Sequence, residues 1–166
     1  TASSVLVTYT PNDSIGITQC RLIVDGVVND TDNTVTANQP NTFTLNGLLE
    51  GTHTWSVNCT DTDSNTAQPA ARTIIRDTSP PTIDLLNPSL GDRINADTGS
   101  VTFTWNATDS LDTILRCNLT LDGAVNKTNL LLTSGIPNSE VISNLPVGEH
   151  SWNVTCWDQL LNTNTS

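Results

Sequence analysis

Two cysteine pairs share one spacing: Cys20 and Cys59 lie 39 residues apart, as do Cys117 and Cys156, and the second pair follows the first at an offset of 97. The match runs well past the cysteines. Leu22-Ile23-Val24-Asp25-Gly26-Val27-Val28-Asn29 answers Leu119-Thr120-Leu121-Asp122-Gly123-Ala124-Val125-Asn126. Gly51-Thr52-His53-Thr54-Trp55-Ser56-Val57-Asn58-Cys59 likewise answers Gly148-Glu149-His150-Ser151-Trp152-Asn153-Val154-Thr155-Cys156. Self-similarity of this kind sets the architecture before any local propensity does. The 166 residues therefore read as two copies of one small domain. A residue repeated at the same slot is expected to serve the fold.

Within each copy, short alternating segments are separated by turn residues every 8 to 12 positions or so, the pattern of a β-sandwich. Val101, Phe103, Trp105 and Ala107 fall on one face and Thr102, Thr104, Asn106 and Thr108 on the other, as a strand requires. Val5, Val7 and Tyr9 fill the same slots in the first copy. Cys20-Leu22-Val24 and Cys117-Leu119-Leu121 follow, each closed by Asp-Gly, a strong hairpin signal. An edge strand is expected near Phe43 to Leu48 and Glu140 to Leu145. The clearest strands are Trp55-Val57-Cys59 and Trp152-Val154-Cys156, whose three side chains share the core face. Methionine is absent and glutamate is confined to Glu50, Glu140 and Glu149, so good helix formers are scarce.

An even cysteine count with equal spacing in each copy fits one disulfide per domain and an oxidising compartment. Zinc is the rival reading, but its usual C-x-x-C and H-x-x-x-H clusters do not occur. Seventeen acids against six bases give a net charge of −11, and Lys127 is the only lysine. That balance disfavours nucleic acid and anionic membrane, which call for clustered Lys and Arg. No apolar run reaches the ~20 residues of a membrane-spanning helix, and Thr1-Ala2-Ser3-Ser4 does not resemble a signal peptide.

Taken together, Tyr9 or Trp105 in an early strand, Cys-x-Leu-x-Leu/Val-Asp-Gly, Gly-x-His-x-Trp-x-Val-x-Cys and Asp77-Thr78-Ser79-Pro80-Pro81 resemble Ig-like repeats of archaeal and bacterial extracellular surface proteins. The resemblance covers nearly the whole chain. It implies an all-β protein of two tandem Ig-like β-sandwich domains, each with one disulfide, in an adhesin, a surface layer or a surface filament. In antibody domains the disulfide joins the second and sixth strands across the two sheets. Here the cysteines fall on the third and sixth strands, neighbours within one sheet. A bridge of this loop length is worth roughly 3 to 4 kcal/mol in the chain-entropy model.

The expected domains are residues 1–78, with a first strand missing, and 79–166, with a last strand missing. The first copy lacks a counterpart of Pro81 to Gly99, and the second lacks a counterpart of Arg72 to Asp77. Either the chain is a window on a longer array or neighbouring chains supply strands to open sheet edges. Pro80-Pro81 is expected to make a short, semi-rigid hinge between the copies and so a rod-like tandem.

Asn-x-Ser/Thr occurs at Asn12, Asn29, Asn58, Asn106, Asn118, Asn126, Asn153 and Asn164, each a candidate N-glycosylation site. Asn58, Asn106, Asn118 and Asn153 occupy outward strand positions, where a glycan could stand. His53 and His150 share one slot two residues before a core tryptophan. A catalytic histidine needs a poised partner and is rarely duplicated, so both are expected to be structural, packing and hydrogen-bonding at a strand entry. Asp61-Thr62-Asp63-Ser64-Asn65 has the oxygen spacing that begins a calcium loop, but Thr66 stands where such a loop wants glycine and no glutamate closes it. Its equivalent, Asp158-Gln159-Leu160-Leu161-Asn162, loses the middle ligand. A turn closed by Asp and Asn side chains is the expectation, with calcium as the weaker alternative, there or at a junction involving Asp77 or Asp84; no other cofactor is expected.

Trp157 is expected to face outward where the first copy has Thr60. With Leu160 and Leu161 it forms a candidate contact patch for a neighbouring strand, domain or ligand. No nucleophile–base pair or metal cluster supports an enzyme. The expected role is a structural segment of an extracellular cell-surface filament or surface layer, a stiff, disulfide-stabilised, glycosylated rod. Its partners would be neighbouring Ig-like repeats of the same chain or of identical chains, joined by strand complementation. The alternative is an adhesin domain that binds carbohydrate or protein.

Overall fold

Apolar side chains two residues apart bury one face of each strand, and the buried positions in a computed structural model follow that alternation. The structure describes residues 4–94 and 99–166. Residues 1–3 of the stretch read for a targeting signal, and 95–98 of the stretch without a counterpart in the first copy, lie outside the described residues. The chain divides into unit 1, Thr1–Asp77, and unit 2, Thr78–Ser166. All regular structure among the described residues is β-strand.

In unit 1, β1 (Val5–Tyr9) pairs antiparallel with β4 (Asn41–Leu45), Val5 opposite Leu45 and Tyr9 opposite Asn41. The second sheet runs in the order β3 (Val27–Asp32), β2 (Ile17–Val24), β5 (Gly51–Asp61). The far side of β5 is shared by two short strands. β6 (Thr66–Ala67) pairs with its end and β7 (Arg72–Arg76) with its start. Val7, Phe43 and Leu45 from one sheet meet Cys20, Leu22 and Val57 from the other, a sandwich core of six buried residues. Tyr9 stacks on Phe43, ring centres 5.0 Å apart. Arg72 lies 5.7 Å over the Trp55 ring directly across the ladder, a cation–π contact that covers the outer edge of the core.

In unit 2, a three-stranded sheet runs β12 (Asn138–Ile142), β9 (Val101–Thr108), β8 (Thr82–Asn87). It faces a sheet in the order β11 (Ala124–Thr133), β10 (Ile114–Leu121), β13 (Trp152–Trp157), β14 (Thr163–Thr165). The core has twelve buried residues, twice that of unit 1. Val101, Phe103, Trp105 and Ala107 face Cys117, Leu119, Val154 and Cys156, and Trp152 meets Phe103 edge to face at 5.1 Å. Sheet composition differs alongside core size. β8 completes the β9 sheet, whereas among the described residues the β1–β4 sheet has two strands. The three-residue β14 matches β6, and no described strand of unit 2 matches β7.

Each hairpin closes as the Asp-Gly signal requires. Asp25 and Gly26 have φ of 50° and 80°, Asp122 and Gly123 50° and 77°, the paired positive values of a tight two-residue turn. The expected edge strands near Phe43 to Leu48 and Glu140 to Leu145 sit a few residues earlier and stop at Leu45 and Ile142. Gly47 and Asn144, at matching slots, take left-handed φ of 68° and 59°, which a continuing strand does not accept. Leu48 and Leu145 still pack against the core from beyond the strand ends, which is why they read as strand.

Candidate functional site

Cys20 lies directly opposite Cys59, and Cys117 opposite Cys156, on adjacent strands of one sheet. Both pairs are disulfides with Cα atoms 4.1 Å apart. Cys20, Cys117 and Cys156 are fully buried, whereas Cys59 is half-buried.

The two histidines build one arrangement twice. His53 Nδ1 lies 2.6 Å from Asp25 Oδ2 and its Nε2 3.0 Å from the Leu49 carbonyl. His150 Nδ1 lies 2.7 Å from Asp122 Oδ2 and its Nε2 2.9 Å from the Pro146 carbonyl. In each copy the other carboxylate oxygen accepts the backbone N–H after the histidine, from Thr54 or Ser151. Carboxylate and carbonyl are both acceptors, so each ring must donate from both nitrogens, and the imidazolium is the species that fits. The aspartate of the Asp-Gly turn thus clasps the entry of β5 or β13. Both ring nitrogens of each histidine are thereby committed to these acceptors.

The hydrogen bond to the aspartate, then that to the carbonyl, raises the pKa of each histidine above the ordinary imidazole value. The hydrogen bond from the histidine, then that from the backbone N–H, holds Asp25 and Asp122 below the usual carboxylate range. A raised histidine contributes stability that is complete below its unfolded pKa and is lost as pH climbs through the folded value. A lowered aspartate contributes stability present above its unfolded pKa and lost as pH falls through the folded value. Thermal stability is therefore expected to decline on the alkaline side of the imidazole range as well as in acid. A double His53→Gln, His150→Gln variant titrated in parallel should lose the alkaline decline; an unchanged decline would mean that other groups cause it.

The calcium-like segment is a turn built on its end residues. Asp61 Oδ1 accepts the backbone N–H of Asp63 and Asn65, and its Oδ2 accepts Asn65 Nδ2. Asp158 does the same with Leu160, Asn162 and Asn162 Nδ2. Hydrogen bonds from Asn65, side chain before backbone, lower the Asp61 pKa. Both oxygens of each aspartate already serve N–H donors, a use that competes with holding a cation. Ser64 and Leu161 share the left-handed slot of this turn, each with φ of 68°. Leu160 and Leu161 are accordingly its exposed tip, while Trp157 is half-buried on β13 opposite Arg116. A shallow depression of about 350 Å3 nearby is lined by Ile114, Arg116, Leu131, Asp158 and Gln159, without Trp157, Leu160 or Leu161. Asp84 is exposed on β8 opposite Asn106, and Asp77 is buried at the end of unit 1.

The sequons separate by environment. The four on outward strand positions are half-buried, which sequence position alone did not reveal. Asn58 Nδ2 reaches Gln68 at 3.3 Å, Asn118 Oδ1 accepts the Asn129 N–H, and Asn106 has its Oδ1 buried. Asn153 lies between Cys156 and the strand entry, also half-buried, and Asn164 donates its amide to the Pro81 carbonyl at 2.9 Å. Asn12, Asn29 and Asn126 are exposed. Asn29 and Asn126 occupy the same slot, and each is the extra residue where the register slips: Leu22 faces Asp30 and Ile23 faces Val28, while Leu119 faces Lys127 and Thr120 faces Val125. A bulge residue is unpaired and turned out of the ladder.

No protein-family model matches the chain, and no curated protein matches it. Among solved structures it is similar to the fibronectin(III)-like modules of Clostridium thermocellum CbhA, at 16% identity and a TM-score of 0.49, over 98% of this chain and 82% of that one. It also matches a central fibronectin-III array of RIM-binding protein (19%, TM-score 0.36, 98% and 55%) and Bacteroides uniformis β-glucuronidase 3 (13%, TM-score 0.28, 98% and 24%). The fold itself is all-β, a β-sandwich in each unit, with two disulfides, each inside one sheet.

Proposed function

We propose that this chain is a structural repeat segment of an extracellular cell-surface filament or surface-layer protein, of the archaeal or bacterial surface type, and not an enzyme. The observation that carries this reading is the duplication of its polar chemistry. Disulfide, histidine–aspartate clasp and Asp–Asn turn recur slot for slot, and each is spent on fixing strands. A module that locks its own strands twice over resists extension and proteolysis, the work asked of a stiff rod with a Pro80-Pro81 hinge. Disulfides that persist support a location outside the reducing cytosol. Its partners in this reading are neighbouring Ig-like repeats, of the same chain or of identical chains, with Trp157, Leu160 and Leu161 offered as contact residues. Immunogold labelling of intact cells should decorate surface structures; label confined to the cytoplasm would overturn the reading.

Glycans belong to the same proposal, and exposure ranks the sites. Asn29 and Asn126, exposed on bulges, are expected to carry sugar in protein from the native source, whereas Asn106 and Asn164 are expected to be bare. Glycopeptide mass spectrometry reads this directly, and occupancy of Asn106 in place of Asn29 and Asn126 would contradict it.

A further inference from the structure

Asp or Asn stands directly before glycine three times in this chain, at Asp25, Asn46 and Asp122. Such a pair permits a backbone reaction. Glycine has no Cβ to hinder approach, so its nitrogen can reach the preceding Cγ and close a five-membered ring. The structure holds two of these pairs shut and leaves the third open.

Asp25 and Asp122 are held by the clasp. Asp25 accepts the Thr54 N–H at 2.8 Å on one oxygen and lies 2.6 Å from His53 Nδ1 on the other. Asp122 repeats this with Ser151 and His150. Each shares a two-residue turn of fixed positive φ with its glycine. The hydrogen bond from the histidine, then that from the backbone N–H, also keeps both carboxyls ionised, and a carboxylate is a poor electrophile.

Asn46 lies just past the end of β4, exposed, in a segment outside regular structure. The pair forms no tight hairpin there, since β4 and β5 belong to different sheets and only Gly47 has a positive φ. Asn46 Nδ2 donates to the Thr44 carbonyl at 3.4 Å, beyond the usual hydrogen-bond range. The Gly47 N–H has no partner among the described residues, and a Cβ at Gly47 would meet nothing within 4 Å. Unit 2 supplies an internal control. Asn144, at the slot of Gly47, is exposed too, but Leu145 follows it with a branched side chain. The Leu145 N–H is engaged, donating to the Gly99 carbonyl at 2.8 Å.

We propose that Asn46-Gly47 is a site of self-modification, at which the native chain converts Asn46 to a mixture of aspartate and isoaspartate. The Gly47 nitrogen loses its proton and bonds to Asn46 Cγ. The Cγ–Nδ2 bond breaks, and Nδ2 leaves with that proton as ammonia. Water then opens the ring. Cleavage at Cγ gives aspartate, and cleavage at the backbone carbonyl gives isoaspartate, whose chain runs through the side chain. No oxidant or cofactor enters. The product carries a new negative charge between Leu45 and Leu48, both of which pack in the core of unit 1.

The test incubates the native 166-residue chain at mildly alkaline pH in heavy-oxygen water, which marks conversion that precedes digestion. Peptide mass spectrometry then reads every asparagine, and electron-transfer fragmentation separates the two isomers. Asn46 should convert several-fold faster than Asn144 and at a rate close to that in the reduced, unfolded chain. Asp25 and Asp122 should isomerise only on unfolding. His53→Gln should release Asp25 to isomerise several-fold faster and leave Asp122 unchanged. An Asn46 that stays intact in the native chain, or converts no faster than Asn144, would overturn the proposal. Native isomerisation of Asp25 and Asp122 as fast as in the unfolded chain would overturn the protective role of the clasp.

Discussion

Replacing Cys20 and Cys59 together by alanine is expected to unfold unit 1, while the matching change at Cys117 and Cys156 leaves unit 2 folded but weakened. Each bridge spans 39 residues, and constraining a loop of that length stabilises by about 4 kcal/mol in the chain-entropy model. The loss is the same on both sides; what remains is not. Unit 2 keeps twelve buried core residues under a three-stranded sheet, unit 1 six under a two-stranded one. For a domain of this size about 4 kcal/mol corresponds to a fall of roughly 15 to 30 °C in Tm, which a small core does not survive. Unit-resolved hydrogen exchange on the two double variants checks this. Equal loss in both units, or intact protection of β2 and β5 without the first bridge, would contradict it.

Trp105→Ala is expected to cost unit 2 about 3 to 5 kcal/mol, the usual range for emptying a large aromatic site in a core. Trp105 is 0% exposed at the centre of β9, between Asn138 on β12 and Leu85 on β8. Its removal opens a cavity beneath both sheets. Trp105→Phe should cost much less, because the Trp105 Nε1 is buried without a hydrogen-bond partner and phenylalanine removes that donor while keeping most of the apolar bulk. Urea denaturation followed by amide exchange in β10 and β13 separates the two variants. Comparable losses for both would mean that the indole nitrogen has a partner; a negligible loss for alanine would mean that the site collapses.

Much of this fold was legible because duplication and alternation are periodic signals. The repeated Trp-x-Val-x-Cys run, the Asp-Gly turns and the pairing of cysteines on neighbouring strands all follow from spacing along one strand or one hairpin. The turn at Asp61 was legible too, but its twin at Asp158 shows that only the end residues matter, since Asp63 has no counterpart there. Less legible were the features that depend on register between strands. The partner of His53 is Asp25, 28 residues earlier, and nothing local marks an Asp-Gly aspartate as the anion for a distant ring. The bulges that expose Asn29 and Asn126 arise from one-residue slips that alternation alone does not show. Asn118 is held by the Asn129 backbone N–H from β11, a neighbour that local sequence does not announce. The looser packing around Tyr9 and Cys59 became visible through comparison with the matched residues Trp105 and Cys156.

The central claim is that these domains work as repeats in an extracellular assembly. Electron microscopy of surface material from the native source tests it most directly. The account predicts ordered filaments or layers in which this Ig-like pair recurs, with a disulfide inside one sheet of each domain. Recovery of the protein only as dispersed monomers, with no such density in any surface structure, would contradict it.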